Sequence, residues 1–320
     1  MNALVSAAIL SRRDVEIIEQ RDGSATFAVS PQFACHYDRA DEVLWSRWMP
    51  HGIPSFNAAL LGDLVQASAM IESYFKDRRD RPLRHVVLRS GVPAAFNLGG
   101  DLGLFHSAIV GRNRSILEHY AYEAVRVVFR NYRAYELPGV TTVALLEADA
   151  LGGGFECALS CDVIIAERHV KAGFPEVLFN MFPGMGGISL LARRVGRKTA
   201  DDLVRTGRQY TALELLELGV IDAVVDTGEG EAAVHKLMRK REFQHAAHCA
   251  MNRVDRLVRP ITEQELLDVV QIWVDCALDL DLRSLEWMQR LYQRQSGIFG
   301  GGDRQAIGGA KVHDRVQIAA

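Results

Sequence analysis

Apolar spacing divides the chain into short strands and longer helices. Residues 14–20 and 24–30 alternate as two strands, with Asp22-Gly23 as a hairpin turn between them. Residues 31–56 show no such period and read as irregular, carrying His36, Tyr37, Trp45, Trp48 and Pro50. From Asn57 to about Arg78, Leu60, Leu61, Leu64, Val65, Ala69, Ile71 and Phe75 recur at helical spacing. The charge run over 76–84 ends that helix, either as a solvated turn or as a docking patch for an acidic partner. Residues 85–89 form a strand closed by Ser90-Gly91, and helical segments follow over 102–110 and 114–135.

An apolar run over 140–146 reads as a buried strand leading into Gly152-Gly153-Gly154, after which residues 155–160 resume as a helix. Residues 161–166 are another strand, 182–187 a loop, 187–195, 198–206 and 211–218 helices, and 220–225 a last strand. Helices are expected at about 230–256, 262–280 and 284–296, and the glycine-rich polar end is expected to be loosely ordered. Strands alternating with helices predict an α/β core over residues 1–228, a helical region over 229–297 and a tail over 298–320.

Composition narrows the classes. A net charge of −3 over 320 residues gives no global attraction to nucleic acid or membranes, and 48% hydrophobic residues support a substantial core. No apolar run approaches the length of a spanning helix, so membrane insertion is not expected. The apolar residues 3–10 lack a preceding basic residue and run straight into Arg12, Arg13 and Asp14, which reads against a signal peptide. Five scattered cysteines make no disulfide framework. Cys157 and Cys161 lack a second Cys/His pair to complete a zinc site and read as buried free thiols, in keeping with a cytoplasmic setting.

Gly184-x-Gly186-x-x-Ser189 misses the third glycine of a dinucleotide fingerprint, and no strand feeds it in the required way. The glycine triplet is more informative. A strand, glycines and a helix in succession bring bare N–H groups to a helix N-terminus, where they favour negative charge. Gly99-Gly100, after another strand, can supply a second N–H, so the two turns suit a two-donor oxyanion hole for a polarised thioester carbonyl. Glu156 sits in the first turn of the helix after the triplet, and Glu176 follows Pro175 at the start of a short helix. Enolate chemistry needs one group to take the α-proton and another to exchange a proton at the departing oxygen, and two glutamates in unlike environments can share that work. Packing glycines and a dipole-favoured glutamate would account for the same residues without any chemistry. Which glutamate is the acid stays open.

Four motifs in order now resemble the crotonase, or enoyl-CoA hydratase/isomerase, superfamily over about residues 85–225. They are Phe96-Asn97-Leu98-Gly99-Gly100-Asp101-Leu102, the Ala150-Leu151-Gly152-Gly153-Gly154-Phe155-Glu156 turn, Pro175-Glu176 through Pro183-Gly184, and the helix-rich piece over 211–225. The resemblance implies a crotonase-type spiral of ββα turns, oxyanion donors at Gly100 and Gly153, and catalytic roles for Glu156 and Glu176. It implies no metal or redox cofactor, because the thioester itself makes the α-proton acidic. A C-terminal helical region mediating trimer or hexamer contacts is implied as well.

Residues 173–186, 96–102 and the stretch from Trp45 to Leu61 are similar to the diffusible signal factor synthases of bacterial quorum sensing. Those enzymes dehydrate a 3-hydroxyacyl-acyl-carrier-protein to the cis-2-enoyl thioester and hydrolyse it to a free fatty acid. An enoyl-CoA hydratase of fatty-acid metabolism would use the same residues on a CoA thioester. A non-catalytic role, restraining the receiver domain of a sensor kinase, is the alternative of another class. One departure is Glu147-Ala148-Asp149 in place of the Asn-Gly-Tyr that often precedes the glycines in hydratases, which bears on the shape of the pocket entrance.

Overall fold

Alternating burial builds the antiparallel half of the main sheet. In the computed structural model, which describes residues 15–76 and 80–299, β1 (Glu16–Glu19), β2 (Ala25–Ser30), β3 (Phe33–Asp38) and β4 (Val43–Trp48) pair successively antiparallel. Ala25, Phe27, Val29, Phe33, Cys35 and Tyr37 point into the core while their neighbours face outward. The stretch read as irregular over 31–56 therefore holds two strands. Its outward positions carry His36, Asp38 and Arg47, and β-branched residues are scarce, so cross-strand pairing rather than propensity forms the strands.

Beyond β4 the sheet continues parallel through β5 (His85–Ser90), β6 (Thr141–Leu146), β8 (Val163–Glu167) and β11 (Ala223–Val225). Every residue of β6 and β8 is buried, which is why they read as continuous apolar runs instead of alternating ones. A second sheet joins β10 (Gln209–Thr211), β9 (Lys171–Gly173) and β7 (Ala150–Leu151), and two isolated parallel bridges, Phe56 to Gly100 and Asn97 to Ala150, lie outside both sheets. These pairings span one to three residues, too short for any periodicity to reveal.

Each parallel turn has the same form: a main-sheet strand, a short second-layer pairing, then a helix. β4 leads through Phe56 to α1 (Ala58–Phe75), and β5 leads through residues 97–100 to α2 (Leu102–Val110) and α3 (Arg114–Tyr132). β6 leads through β7 to α4 (Gly153–Leu159), and β8 through β9 to a 3-10 turn, Pro175–Phe179, then to α5 (Gly187–Val195) and α6 (Arg197–Arg205). This is the expected spiral of ββα turns. α7 (Ala212–Glu217) opens with a capping box between Thr211 and Glu214.

The helix expected over 230–256 is two, α8 (Gly230–Arg241) and α9 (His245–Val258), separated by the 3-10 turn Glu242–Gln244. α10 (Glu263–Leu278) packs on α3, and α11 (Leu282–Phe299) packs on α2 and the Pro175–Phe179 turn. The C-terminal helices thus fold back over the helices that follow β5. In the charge run, Arg81 pairs with Glu19 and Arg84 with Glu42, so ion pairs tie the run to β1 and to the residue before β4. The apolar stretch over 3–10 and the tail from 300 onward lie outside the described residues.

Candidate active site

Glu156 is placed by a turn that glycine makes possible. Gly152 has φ 52° and ψ −127°, a conformation costly for a residue with a Cβ, and all seven residues of α4 behind it are buried. The Glu156 side chain, 1% exposed, leans back from the first turn and accepts N–H bonds on Oε1 from Met185 and Gly187, each 2.8 Å. Its Oε2 is enclosed and meets no protein donor. Burial pushes this carboxyl up to about 7, against the pull of the amides of residues 185–187.

Glu176 opens the Pro175–Phe179 turn, with Pro175 supplying a first helical position that needs no N–H. Its Oε1 lies against Gly152: a Cβ there would come within 2.5 Å of it. Its Oε2 is enclosed and unpartnered as well. Burial first, and then the negative charge of Glu156, push the Glu176 carboxyl up to about 8. Burial and mutual repulsion thus disfavour ionising both carboxyls together.

The two glycine turns touch. A Cβ on Gly99, at φ 96°, would stand 3.0 Å from Leu151 O and 3.1 Å from Gly153 N, and one on Gly153 would stand 3.7 Å from Gly100 N. Gly152 N–H is spent on Gly173 O at 2.9 Å, whereas the N–H groups of Gly100 and Gly153 meet no acceptor among the described residues. All four residues singled out in the sequence, Gly100, Gly153, Glu156 and Glu176, line one pocket.

Apart from Tyr120 and Gln295, the other side chains lining the pocket are apolar. Phe105, Phe179, Phe182, Met185, Trp273 and Met288 supply much of its wall, and none of the described residues lining it is Lys, Arg or His. Phe105 packs edge-on against both Tyr120 and Trp273, with ring centroids 4.8 and 5.1 Å away. Sequence reasoning missed three contributions. The amides of Met185 and Gly187 hold Glu156, a role that neither the failed nucleotide motif nor the family motif ending at Pro183-Gly184 assigned to this loop. Trp273 and Met288 come from helices whose apolar stripes carry no sign of what they face. Tyr120 was one aromatic among many on α3.

The departure at Glu147-Ala148-Asp149 is not part of the pocket lining. Glu147 pairs with Arg89, while Asp149 is buried, takes the Lys171 N–H on Oδ1 at 2.8 Å and offers its carbonyl to Phe96 N–H at 2.9 Å. Asp149 therefore ties β9 and the approach to Gly99 to the strand before the glycine triplet. All five cysteines are free, and four are buried.

With this geometry in place, residues 50–272 match the family model described as enoyl-CoA hydratase/isomerase. The chain belongs to that family. A methylglutaconyl-CoA hydratase from Rattus norvegicus is 30% identical over 231 residues, 71% of this chain and 68% of the relative. A probable mitochondrial enoyl-CoA hydratase 2 from Arabidopsis thaliana is 36% identical over 152 residues, 47% of this chain and 48% of the relative. The chain spans about half the length of that relative and 56–62% of two others. Among solved structures, the enoyl-CoA hydratase from Bacillus halodurans superposes with TM-score 0.67 at 20% identity, covering 80% of this chain and 99% of the other. Pseudomonas aeruginosa DspI superposes with TM-score 0.62 at 22% identity, covering 77% and 95%. These structures share the fold. The hydratase/isomerase family match takes in both glycine turns and both glutamates, and stops just before Trp273 and α11.

Proposed function

We propose that the protein adds or removes water across the C2–C3 bond of an acyl thioester whose acyl chain is apolar. The observation that carries this reading is the meeting of two enclosed carboxyls and two uncommitted glycine N–H groups in one pocket with apolar walls. The thioester carbonyl sits between Gly100 N–H and Gly153 N–H, which stabilise the enolate oxygen as charge develops there. In the dehydrating direction the ionised carboxyl takes the C2 proton, the C2–H electrons become the C2=C3 bond as the C3–O bond breaks, and the protonated carboxyl delivers its proton so that oxygen leaves as water. The pair ends as it began, with one proton between Glu156 and Glu176. Ionisation begins at Glu156, whose Oε1 is held by two amides, while Glu176 retains its proton to higher pH.

The absence of a cation from the described lining supports an uncharged acyl chain. A second carboxylate on the acyl group would go unpaired in this pocket.

Within that chemistry, the reading we favour is dehydration of a 3-hydroxyacyl-acyl-carrier-protein to the cis-2-enoyl thioester. Water activated by one of the same carboxylates then attacks the thioester carbonyl, releasing a free fatty acid and the carrier thiol. The support is the likeness of residues 96–102, 173–186 and the stretch from Trp45 to Leu61 to the signal factor synthases. Trp48 ties that N-terminal stretch to the site, since its indole N–H donates to Phe96 O at 2.7 Å, just ahead of the glycine turn. The second reading, an enoyl-CoA hydratase of fatty-acid metabolism, draws on the names of the relatives.

A chain-length series of 3-hydroxyacyl carrier-protein and CoA thioesters, followed by mass spectrometry, separates the two. Free cis-2-enoic acid supports the synthase. Reversible formation of trans-2-enoyl-CoA without free acid leaves only the hydratase. No turnover of any thioester overturns both and favours a binding role, toward which Glu156→Ala and Glu176→Ala would leave a kinase receiver domain still bound.

A further inference from the structure

Four consecutive amides run past the first glycine turn, and three of them are spent. Leu98 N–H donates to Pro54 O at 2.8 Å. Gly99 N–H donates to the side chain of Asn97, on Oδ1, at 2.8 Å. Asp101 N–H donates to the hydroxyl of Tyr120 at 3.2 Å. Only Gly100 N–H is left over. The two amides flanking it thus each have a side-chain partner.

The way Tyr120 does this is specific. Phe56 and Gly100 form an isolated parallel bridge. In a full parallel bridge Phe56 N–H would donate to Gly99 O, and Asp101 N–H would donate to Phe56 O. The first of these bonds is present, at 2.8 Å. At the second, the Tyr120 hydroxyl joins the same two groups, donating to Phe56 O and accepting from Asp101 N–H. One O–H therefore ties both backbones at the point where the bridge closes. Tyr120 is 3% exposed, braced edge-on by Phe105, and its oxygen lies 3.6 Å from where a Cβ of Gly100 would be.

Asn97 works on the other side. It is wholly buried, and its main-chain carbonyl accepts Leu151 N–H at 2.9 Å, so the residue that turns Gly99 also holds the strand leading into Gly152 and Gly153. Its Nδ2 is enclosed and donates to nothing, a cost that an apolar residue would avoid. What the side chain supplies is its acceptor.

We infer that Asn97 and Tyr120 are positioning residues that aim the Gly100 N–H at the thioester oxygen, by taking the amides on either side of it. Neither touches the reacting atoms. The inference rests on the thioester reading of the pocket. A misplaced donor weakens only what it was aimed at, so loss falls on the transition state and on carbonyl polarisation more than on affinity.

The test is the carbonyl stretch of a bound enoyl-CoA thioester by isotope-edited infrared difference spectroscopy, with kcat and KM measured alongside. In the wild type the bound carbonyl is expected to shift to lower frequency than in water. Tyr120→Phe keeps the ring and its packing. It is expected to return most of that shift and to lower kcat about tenfold or more while KM moves about threefold or less. Asn97→Ala should act the same way, and Asn97→Asp, which keeps the acceptor, should retain more of the shift if the alanine variant proves too unstable to study. Variants with the full wild-type shift and unchanged kcat overturn the inference alone. A wild type that binds no thioester, or binds one without any shift, overturns the oxyanion reading and the inference together.

Discussion

Glu156 and Glu176 are kept at a cost to stability, and the cost has a sign. Each carboxyl is raised above its ordinary value of 4.5, so between that pH and their folded values near 7 and 8 the folded protein holds more protons than the unfolded chain. Stability contributed by the protonated forms is complete below pH 4.5 and is lost as pH rises through 7 and 8, by at most about 1.4 kcal/mol per pH unit for each group. Glu176→Gln removes the Glu176 share of that dependence. The variant is expected to be more stable than wild type by about 1–3 kcal/mol at pH 8, with no gain at pH 4, in denaturant titrations at the two pH values. It should lose activity by two or more orders of magnitude, since a neutral amide neither gives nor takes the proton. The rate of the wild type should be bell-shaped, with limbs governed by the pair near pH 7 and 8, and a flat profile over pH 6–9 would count against the shared proton.

At the scale of elements, the glycine triplet divides into positions with different tolerance. A Cβ on Gly154 would overlap Asn97 O, which is backbone and pinned by Leu151 N–H, whereas one on Gly153 would meet the mobile end of Met185. Gly154→Ala should therefore destabilise the protein by about 3 kcal/mol or more, and Gly153→Ala by less, in equilibrium unfolding. Trp273 makes a second element-level case. Held on α10 against Gly184 and Phe105, it is the bulkiest side chain of the pocket lining. Trp273→Leu should move the preferred acyl chain to greater length in a kcat/KM series, and an unchanged preference would place the stop elsewhere. The glycine turns and glutamates were legible because each demands a particular residue type at a fixed spacing from a strand. The pocket wall was not. An inward Trp273 and a core-packed tryptophan have the same periodicity, and which surface α10 covers is decided by docking on α3, far away in the chain. Strands β3 and β4 were hidden for a related reason, since their outward polar residues masked a period of two that only pairing with β2 and β5 makes decisive.

For the whole molecule, the spiral leaves α9 with an unsatisfied side. α9 exposes Met251, Val254, Leu257 and Val258, with Leu257 78% exposed, and the neighbouring Phe243 is 98% exposed. Residues at 251, 254 and 258 share a helical stripe, and a stripe of this kind in open water is what an interface presents. It lies beside a groove walled by Phe129, Tyr132 and Pro260. Our expectation that the C-terminal region joins three copies of the chain belongs here, because this stripe lies on α9, which does not line the pocket of Glu156 and Glu176, whereas α10 and α11 do. The two duties of the C-terminal helices are then separable. Val254→Glu with Leu257→Glu places two like charges on the stripe and should yield monomers by sedimentation equilibrium. Its pocket residues stay in place, so thioester binding at saturating concentration should survive even as the melting temperature falls. A double variant that still sediments as three copies would move the interface off α9. A monomer that has also lost thioester binding would mean that the neighbouring copy holds α10 and α11 against the pocket.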